Sequence, residues 1–440
     1  MSPMAQVVQV RFDAPVEAAP PVDEARECAP EGLGDVRVAV YQDLATVAPL
    51  WRAFEQSADG TVFQTYTWLA AWQQHIGERQ GVRPAIVVVY GANGAPLALF
   101  ALAVRRTGFA RELAFLGSDL CDYNGPLLAR GFSERFDRAG FLALWHRIGH
   151  SLQARAQLEY DLVRLTKMPE LIGAQFNPMR HLPITVNPSG AYLTHLAGDW
   201  ESFYTAKRSS ATRRRDRTKR KRLSEMGPVQ FVTPKDDAAI LDTLDTLMAQ
   251  KARAFVRMGV ANLFARPGHR AFYRGLATEP GSKSMVHVSR LDVGATAAAV
   301  NFGLICRGRY YHVQASYDEG EVSRFGPGAA HLHELMRYAI EHGCDVFDFT
   351  IGDERYKRDW CDTELKLYDH VAAANWRGAL VAAAVLAVLS VKRQIKQTPI
   401  LWASVSKLRV LFGSYASAGS ASQHGASTVS ASDEADDRMA

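Results

Sequence analysis

Apolar runs of strand length alternate with turn signals in two separate stretches of the chain. In the first, Pro84 to Tyr90 (PAIVVVY) leads into the turn Gly91–Gly94 (GANG), and a second run follows at Ala95 to Val104 (APLALFALAV). The Asn93-Gly94 pair between two apolar runs marks a hairpin, because both residues tolerate positive φ. A third strand is predicted at Arg111 to Leu116. After the loop SDLCDYNGP come a helix over Phe132 to Gln157 and a strand over Tyr160 to Leu165. The second stretch repeats this order. Strands are predicted at Met285 to Leu291, Thr296 to Cys306 and Arg309 to Ser316, then a loop, a helix over Ala329 to His342, and a strand over Asp345 to Thr350. In that helix Leu332, Leu335, Met336, Ala339 and Ile340 recur at helical spacing and form one apolar face, with Gly343 as the stop. A strand meander followed by a helix and a further strand, written twice, predicts an α+β fold.

Composition bounds the rest. The chain has 440 residues, too many for one ordinary domain, and 48% hydrophobic content excludes disorder over the whole length. Lys+Arg number 51 and Asp+Glu 46, so the net charge of +5 does not by itself indicate a nucleic-acid partner. Cys28, Cys121, Cys306, Cys344 and Cys361 are scattered and form no C-x-x-C pair, which argues against a disulfide framework and a zinc site and for a reducing, cytoplasmic compartment. The expected division is a disordered leader at 1–34, units at 35–185 and 186–375, a helical segment at 376–411 and a Ser/Ala/Gly-rich tail at 412–440. Gly378 to Val391 is an uncharged run of 14 residues. At about 1.5 Å per residue it reaches roughly 21 Å, short of the about 30 Å of a bilayer core. The favoured expectation is a buried Ala-rich helix; an interfacial helix, with peripheral membrane contact through 378–409, is the alternative.

Four segments could carry chemistry. Ser323-Arg324-Phe325-Gly326-Pro327-Gly328-Ala329 precedes the firm helix, where small residues and free N–H groups suit a phosphate. Phe347 to Trp360 (FDFTIGDERYKRDW) packs Asp348, Asp353, Glu354, Tyr356, Lys357 and Asp359 into one short loop, which supplies candidates for acid, base and charge stabiliser. Alternation puts Tyr310 and His312 on one face of a strand and Tyr311 on the other. Lys207 to Arg222 holds ten basic residues without interleaved aromatics, so phosphate contact is conceivable and base stacking is not indicated. No G-x-S-x-G, H-E-x-x-H or Walker-type motif occurs, and a metal enzyme is not expected.

The order of hairpin strands, SRFGPGA, helix and FDFTIGDERYKRDW resembles the GNAT-like acyltransferases linked to bacterial cellulose and exopolysaccharide biosynthesis. These are relatives of the Fem-type peptidyltransferases. The likeness is best over Trp200 to Tyr368. It is weaker in the first half, through FQTYTWLAAWQQHIG at Phe63–Gly77 and the Asp122-Tyr123 pair. The resemblance implies two tandem GNAT-like domains, with mixed, mostly antiparallel sheets flanked by helices. It implies transfer of an acyl group from acyl-CoA to an amine or hydroxyl of a polysaccharide-related or sugar-nucleotide acceptor, alongside polysaccharide synthase machinery, in the cytoplasm or at the inner membrane. By matching positions, Arg324, Gly326, Gly328 and Ala329 would hold the cofactor end. Asp353 would be the base with His312 second, Lys357 would stabilise negative charge and Tyr356 would protonate the leaving group. Asp122, Tyr123, Tyr310 and Asp348 would contact substrate. Ser323 stands where this family's loop usually has Gln or Arg, and Pro327 removes one N–H donor. Two other functions are consistent with the same resemblance: an aminoacyl-tRNA-dependent transferase of the Fem type, and a non-catalytic tandem module that binds a synthase or nucleotide.

Overall fold

A computed structural model describes residues 36–117, 120–352 and 354–397. Two large mixed sheets are built on one strand order. The first runs Arg37–Tyr41, Arg83–Tyr90, Pro96–Thr107, Ala110–Phe115, Leu162–Pro169, Leu367–Ala373, Thr185–Val186. The second runs Val229–Val232, Val286–Val293, Thr296–Cys306, Arg309–Tyr317, Val346–Ile351, Ala191–His195, Thr363–Leu365. Along these paths all pairings are antiparallel except one in each sheet. Ala110–Phe115 lies parallel to Leu162–Pro169, and Arg309–Tyr317 lies parallel to Val346–Ile351. The α+β class and the duplication therefore stand. One strand crosses between the units: Leu367–Ala373, from the expected 186–375 unit, sits inside the first sheet, while Ala191–His195 of the same unit lies in the second.

The second sheet is a middle layer. On one face Phe302 and Tyr311 pack with Trp68 and Phe63 from the first half and with Phe272 and Tyr273 from helix His269–Thr278. On the other, Tyr310, Phe347 and Phe349 meet Leu332, Leu335, Met336 and Ala339. Those four residues lie on the one apolar stripe read from the sequence, and helix Pro327–Glu341 buries it.

Three local expectations change. The single helix over Phe132 to Gln157 is two, Phe132–Arg135 and Arg138–Gln153. Phe136 is extended, and the Asp137 carboxylate caps the second helix by accepting from Gly140 N at 2.7 Å. The strand expected from Tyr160 begins at Leu162, because Asp161 turns to accept the backbone N–H and guanidinium of Arg111. The apolar run 378–391 lies in helix Trp376–Gln397, which is not a buried helix: Leu380, Val388 and Val391 are more than half exposed. Only its start is tightly seated, since a Cβ at Gly378 would fall 1.7 Å from the Asp161 carbonyl oxygen. Among the described residues no helix is long and apolar enough to cross a membrane.

Candidate functional site

The site begins where two parallel strands part. Arg309, Tyr310 and Tyr311 pair with Val346, Phe347 and Asp348, and the pairing then stops. Beyond that point His312 to Tyr317 on one strand and Thr350 and Ile351 on the other line a cavity of about 780 Å³. Irregular backbone on both strands accompanies the parting. The register slips between Phe302 and Gly303 opposite the first strand, and between Tyr192 and Leu193 opposite the second. Thr350 is held at φ +59°, in the left-handed region that a β-branched residue avoids.

Asp348 holds this irregular backbone in place. Its carboxylate, fully buried, accepts the Thr350 N–H at 2.8 Å, the Tyr123 hydroxyl at 2.7 Å and an Arg309 guanidinium N–H at 3.2 Å. Burial raises its pKa, and Arg309 works against that rise. Asp348 and Tyr123 are therefore buried beneath the crotch and do not line the cavity. Tyr310 is corrected in the same way. It shares a face with His312, since both rings meet Phe347, but its hydroxyl is spent on His287 Nδ1 at 2.8 Å and Asn301 Nδ2 at 2.7 Å.

Four of the sequence candidates meet around the opening: Asp122, His312, Tyr356 and Lys357 all line the cavity. The Lys357 ammonium donates to the Ile351 carbonyl at 2.8 Å and pairs with Glu354 at 3.0 Å, so a nearly buried cation is fixed in position. Burial pushes the His312 imidazole down to about 3, helped by Lys357 and Lys251; it is neutral near pH 7 and a weak base. Burial raises the Asp122 carboxyl, against the pull of Lys167, a hydrogen bond from Thr350 and Lys357. Burial and then Glu354 raise the Tyr356 phenol, which stays a proton donor. Asp353 lies outside the described residues.

The far wall is the start of helix Pro327–Glu341. Gly328 and Ala329 line the cavity. Gly326 sits just outside it, at a smaller recess of about 370 Å³ that Ala329 also borders. Arg324 is corrected: its guanidinium lies over the Phe325 ring at 5.0 Å, and it lines neither space. The basic run forms helix Ser210–Met226, whose Arg215 and Lys219 line the same cavity. Lys219 reaches the helix start, since a Cβ on Gly326 would lie 3.6 Å from its ammonium. Small residues, the Gly328 amide and a cation thus converge, an arrangement suited to phosphate oxygens, while the Gly326, Ala329 and Ala330 N–H groups are bonded within the turn.

Sequence reading missed Lys251, which lines the cavity from helix Asp237–Arg257 and whose pKa burial lowers. The signal was there: Ile240, Leu244, Leu247 and Met248 are the buried stripe of that helix, and Lys251 continues it one turn on. A lysine prolonging an apolar face marks a cation held at the edge of a core. Among the described residues no group of His, Cys, Asp or Glu side chains could hold a metal ion.

The comparisons with known proteins agree with this layout. No curated protein sequence matches the chain. The crystal structure of FemX superposes with a TM-score of 0.50 at 9% identity, covering 72% of this chain and 95% of that one, and shows the shared fold. Two more distant structures are L-PGS from Bacillus licheniformis (13% identity, 78% of this chain and 96% of that one, TM-score 0.45) and a tandem GNAT protein from the clavulanic acid biosynthesis pathway (10%, 78% and 99%, 0.42). Residues 210–358, which supply most of the cavity's lining, match the family described as acetyltransferase (GNAT) domain, and the chain is on that ground an acyltransferase.

Proposed function

We propose that the chain moves an acyl group from acyl-CoA to an amine or hydroxyl of a polysaccharide-related or sugar-nucleotide acceptor. One observation carries the reading: the parted strands, the small-residue helix start and the Tyr356-Lys357 segment open into a single cavity. The unpaired edge beyond Tyr311 offers backbone amides and carbonyls to a pantetheine arm. Gly328, Ala329 and Lys219 suit the diphosphate. Asp122 lines the cavity beside His312, and burial raises its carboxyl while it lowers the imidazole, so we add Asp122 to Asp353 as a candidate base and take the step through Asp122. The acceptor N–H or O–H gives its proton to Asp122 and attacks the thioester carbonyl. The Lys357 ammonium faces the oxyanion that forms. The C–S bond then breaks, and the thiolate leaves with the Tyr356 proton.

Titration calorimetry with acetyl-CoA tests this. A Cβ at Gly328 would sit 3.5 Å from Tyr317, an ordinary contact, so a side chain is tolerated at the backbone there, and Gly328→Trp, its folding checked by circular dichroism, is expected to block the cavity. Binding to the parent chain that is lost in Gly328→Trp supports the proposal; no binding to the parent chain refutes it. Because the basic helix Ser210–Met226 borders the site, salt-sensitive tRNA binding in the absence of acetyl-CoA binding would turn the reading toward an aminoacyl-tRNA donor. Binding of neither would leave a non-catalytic module.

A further inference from the structure

The hairpin tip of the first sheet and the helix Trp376–Gln397 join two features that acyl transfer does not use. One is apolar. The hairpin tip Thr107–Gly108–Phe109 presents Phe109, 60% exposed, next to helix Trp376–Gln397. Between them runs a groove of about 500 Å³ lined by Phe109, Leu380, Val381, Ala384, Val385 and Val388. The other feature is basic. Phe109 also borders the adjoining recess, which Arg83, Arg105, Arg106, Arg111 and Arg377 line. The acids in that recess are Glu159 and Asp161, which Arg111 holds at 2.6 and 3.1 Å, and Arg105 is held by the buried Glu112 at 2.9 Å, so Arg83, Arg106 and Arg377 are the cations left for a ligand. Beyond the apolar run the sequence continues with Lys392, Arg393 and Lys396.

We infer that this face docks flat on an anionic phospholipid bilayer, with Phe109 and the exposed side chains of the helix entering the acyl boundary and the arginines meeting lipid phosphates. Charge complementarity selects the occupant: an apolar strip bordered by arginines fits a surface that is apolar inside and negative at its rim. A second copy of the chain on the same face would bring the same arginine cluster toward itself. The uncharged run, at roughly 21 Å as a helix, is too short to span and long enough to lie in the interface. The arrangement explains why a chain with ordinary cores leaves Leu380, Val388 and Val391 in water.

Flotation of the full chain with vesicles tests the inference. Vesicles of phosphatidylcholine mixed with phosphatidylglycerol should carry the protein at low salt, pure phosphatidylcholine vesicles should not, and added salt should release it. Arg106→Ala and Arg377→Ala should each weaken partitioning by about fivefold. Phe109→Ser, at an exposed turn that the core does not need, should weaken it by about tenfold with unchanged circular dichroism. Failure to float with anionic vesicles at low salt overturns the proposal. So does flotation that none of the three substitutions weakens. A stable dimer that Val388→Asp dissociates, with no vesicle binding by the parent chain, would assign the face to self-association instead.

Discussion

Three imidazoles buried around the second sheet make a quantitative forecast about acid. His287 is locked against the Tyr310 hydroxyl, His331 faces the Ser289 hydroxyl at 3.2 Å, and His312 lines the cavity. Burial pushes each down to about 3, whereas an imidazole in the unfolded chain titrates near about 6.5. Below that value the unfolded chain takes up protons that the folded chain refuses, so stability falls as the pH falls from about 6.5 toward 3. At pH 5 each buried histidine costs about 2 kcal/mol, the product of a gap of about 1.5 units and about 1.36 kcal/mol per unit. Three such groups cost about 6 kcal/mol, comparable with the whole stability of an ordinary domain. Asp122 and Asp348 act in the opposite sense: burial raises both carboxyls, which favours the folded state in acid and trims the total. The histidine share is isolated by His331→Asn, which keeps a polar partner for Ser289 and removes one titration. Urea unfolding followed by tryptophan fluorescence at pH 7 and pH 5 should show the parent chain losing about 2 kcal/mol more than the variant over that interval. Equal losses in both would show that His331 takes up its proton in the fold as readily as in the unfolded chain, and the burial argument would fail.

Lys357→Met should lower kcat by about 10²–10³-fold if its ammonium faces the oxyanion, with acetyl-CoA affinity unchanged in the same preparation; a KM effect alone would reduce Lys357 to a binding group. Asp348→Asn should destabilise by about 2–3 kcal/mol in urea. That is less than for a fully enclosed pair, because Arg309 is 31% exposed, and a loss below about 0.5 kcal/mol would mean that the crotch does not depend on this carboxylate. Acetyl-CoA should bind with a stoichiometry of one per chain despite the duplicated sheets, and a second calorimetric site would contradict a single cavity between the parted strands of the second sheet.

What the sequence revealed was local. Asn93-Gly94 marks a turn because Gly94 takes φ +76° and the Asn93 side chain accepts the Ala95 N–H, interactions confined to adjacent residues. The stripe through Leu332, Leu335, Met336 and Ala339 was legible because a period of 3.6 appears in any helix with one buried face. The crossing of Leu367–Ala373 into the first sheet was not legible: whether it pairs with Leu162–Pro169 or with Val346–Ile351 depends on contacts across the whole chain, and the apolar pattern of a central strand suits either neighbour. The same limit explains the errors at Tyr310 and Asp348. A polar side chain in an apolar strand is either spent on a buried partner or directed at a ligand. The partner of Asp348 is Tyr123, 225 residues away, so composition could not distinguish the cases. Asp122 and Tyr123 were singled out together and divide, one facing the cavity and one sealing the core, as adjacent residues with opposed side chains do.

The duplication bears on why the proposed site lies in one half. In the first sheet the parallel strands also part, after Glu112 and Leu113 pair with Leu162 and Val163, and Lys167 takes φ +58° where Thr350 takes +59° in the second. There, however, the gap is filled. Asn124 donates its backbone N–H to the Lys167 carbonyl and its side-chain amide to the Thr166 carbonyl, each at 3.0 Å, and the Lys167 ammonium closes on the Cys121 carbonyl at 2.8 Å. The Thr166 and Lys167 carbonyls, on one side of the gap, are thereby taken by protein. The two residues that precede this plug, Asp122 and Tyr123, reach the other unit: Tyr123 bonds Asp348 and Asp122 lines the cavity beside Thr350. One loop therefore closes the first crotch and completes the second. Duplication supplied two frameworks with the same strand order, and the segment that bridges the gap in one furnishes the other with the carboxylate proposed to take the acceptor's proton.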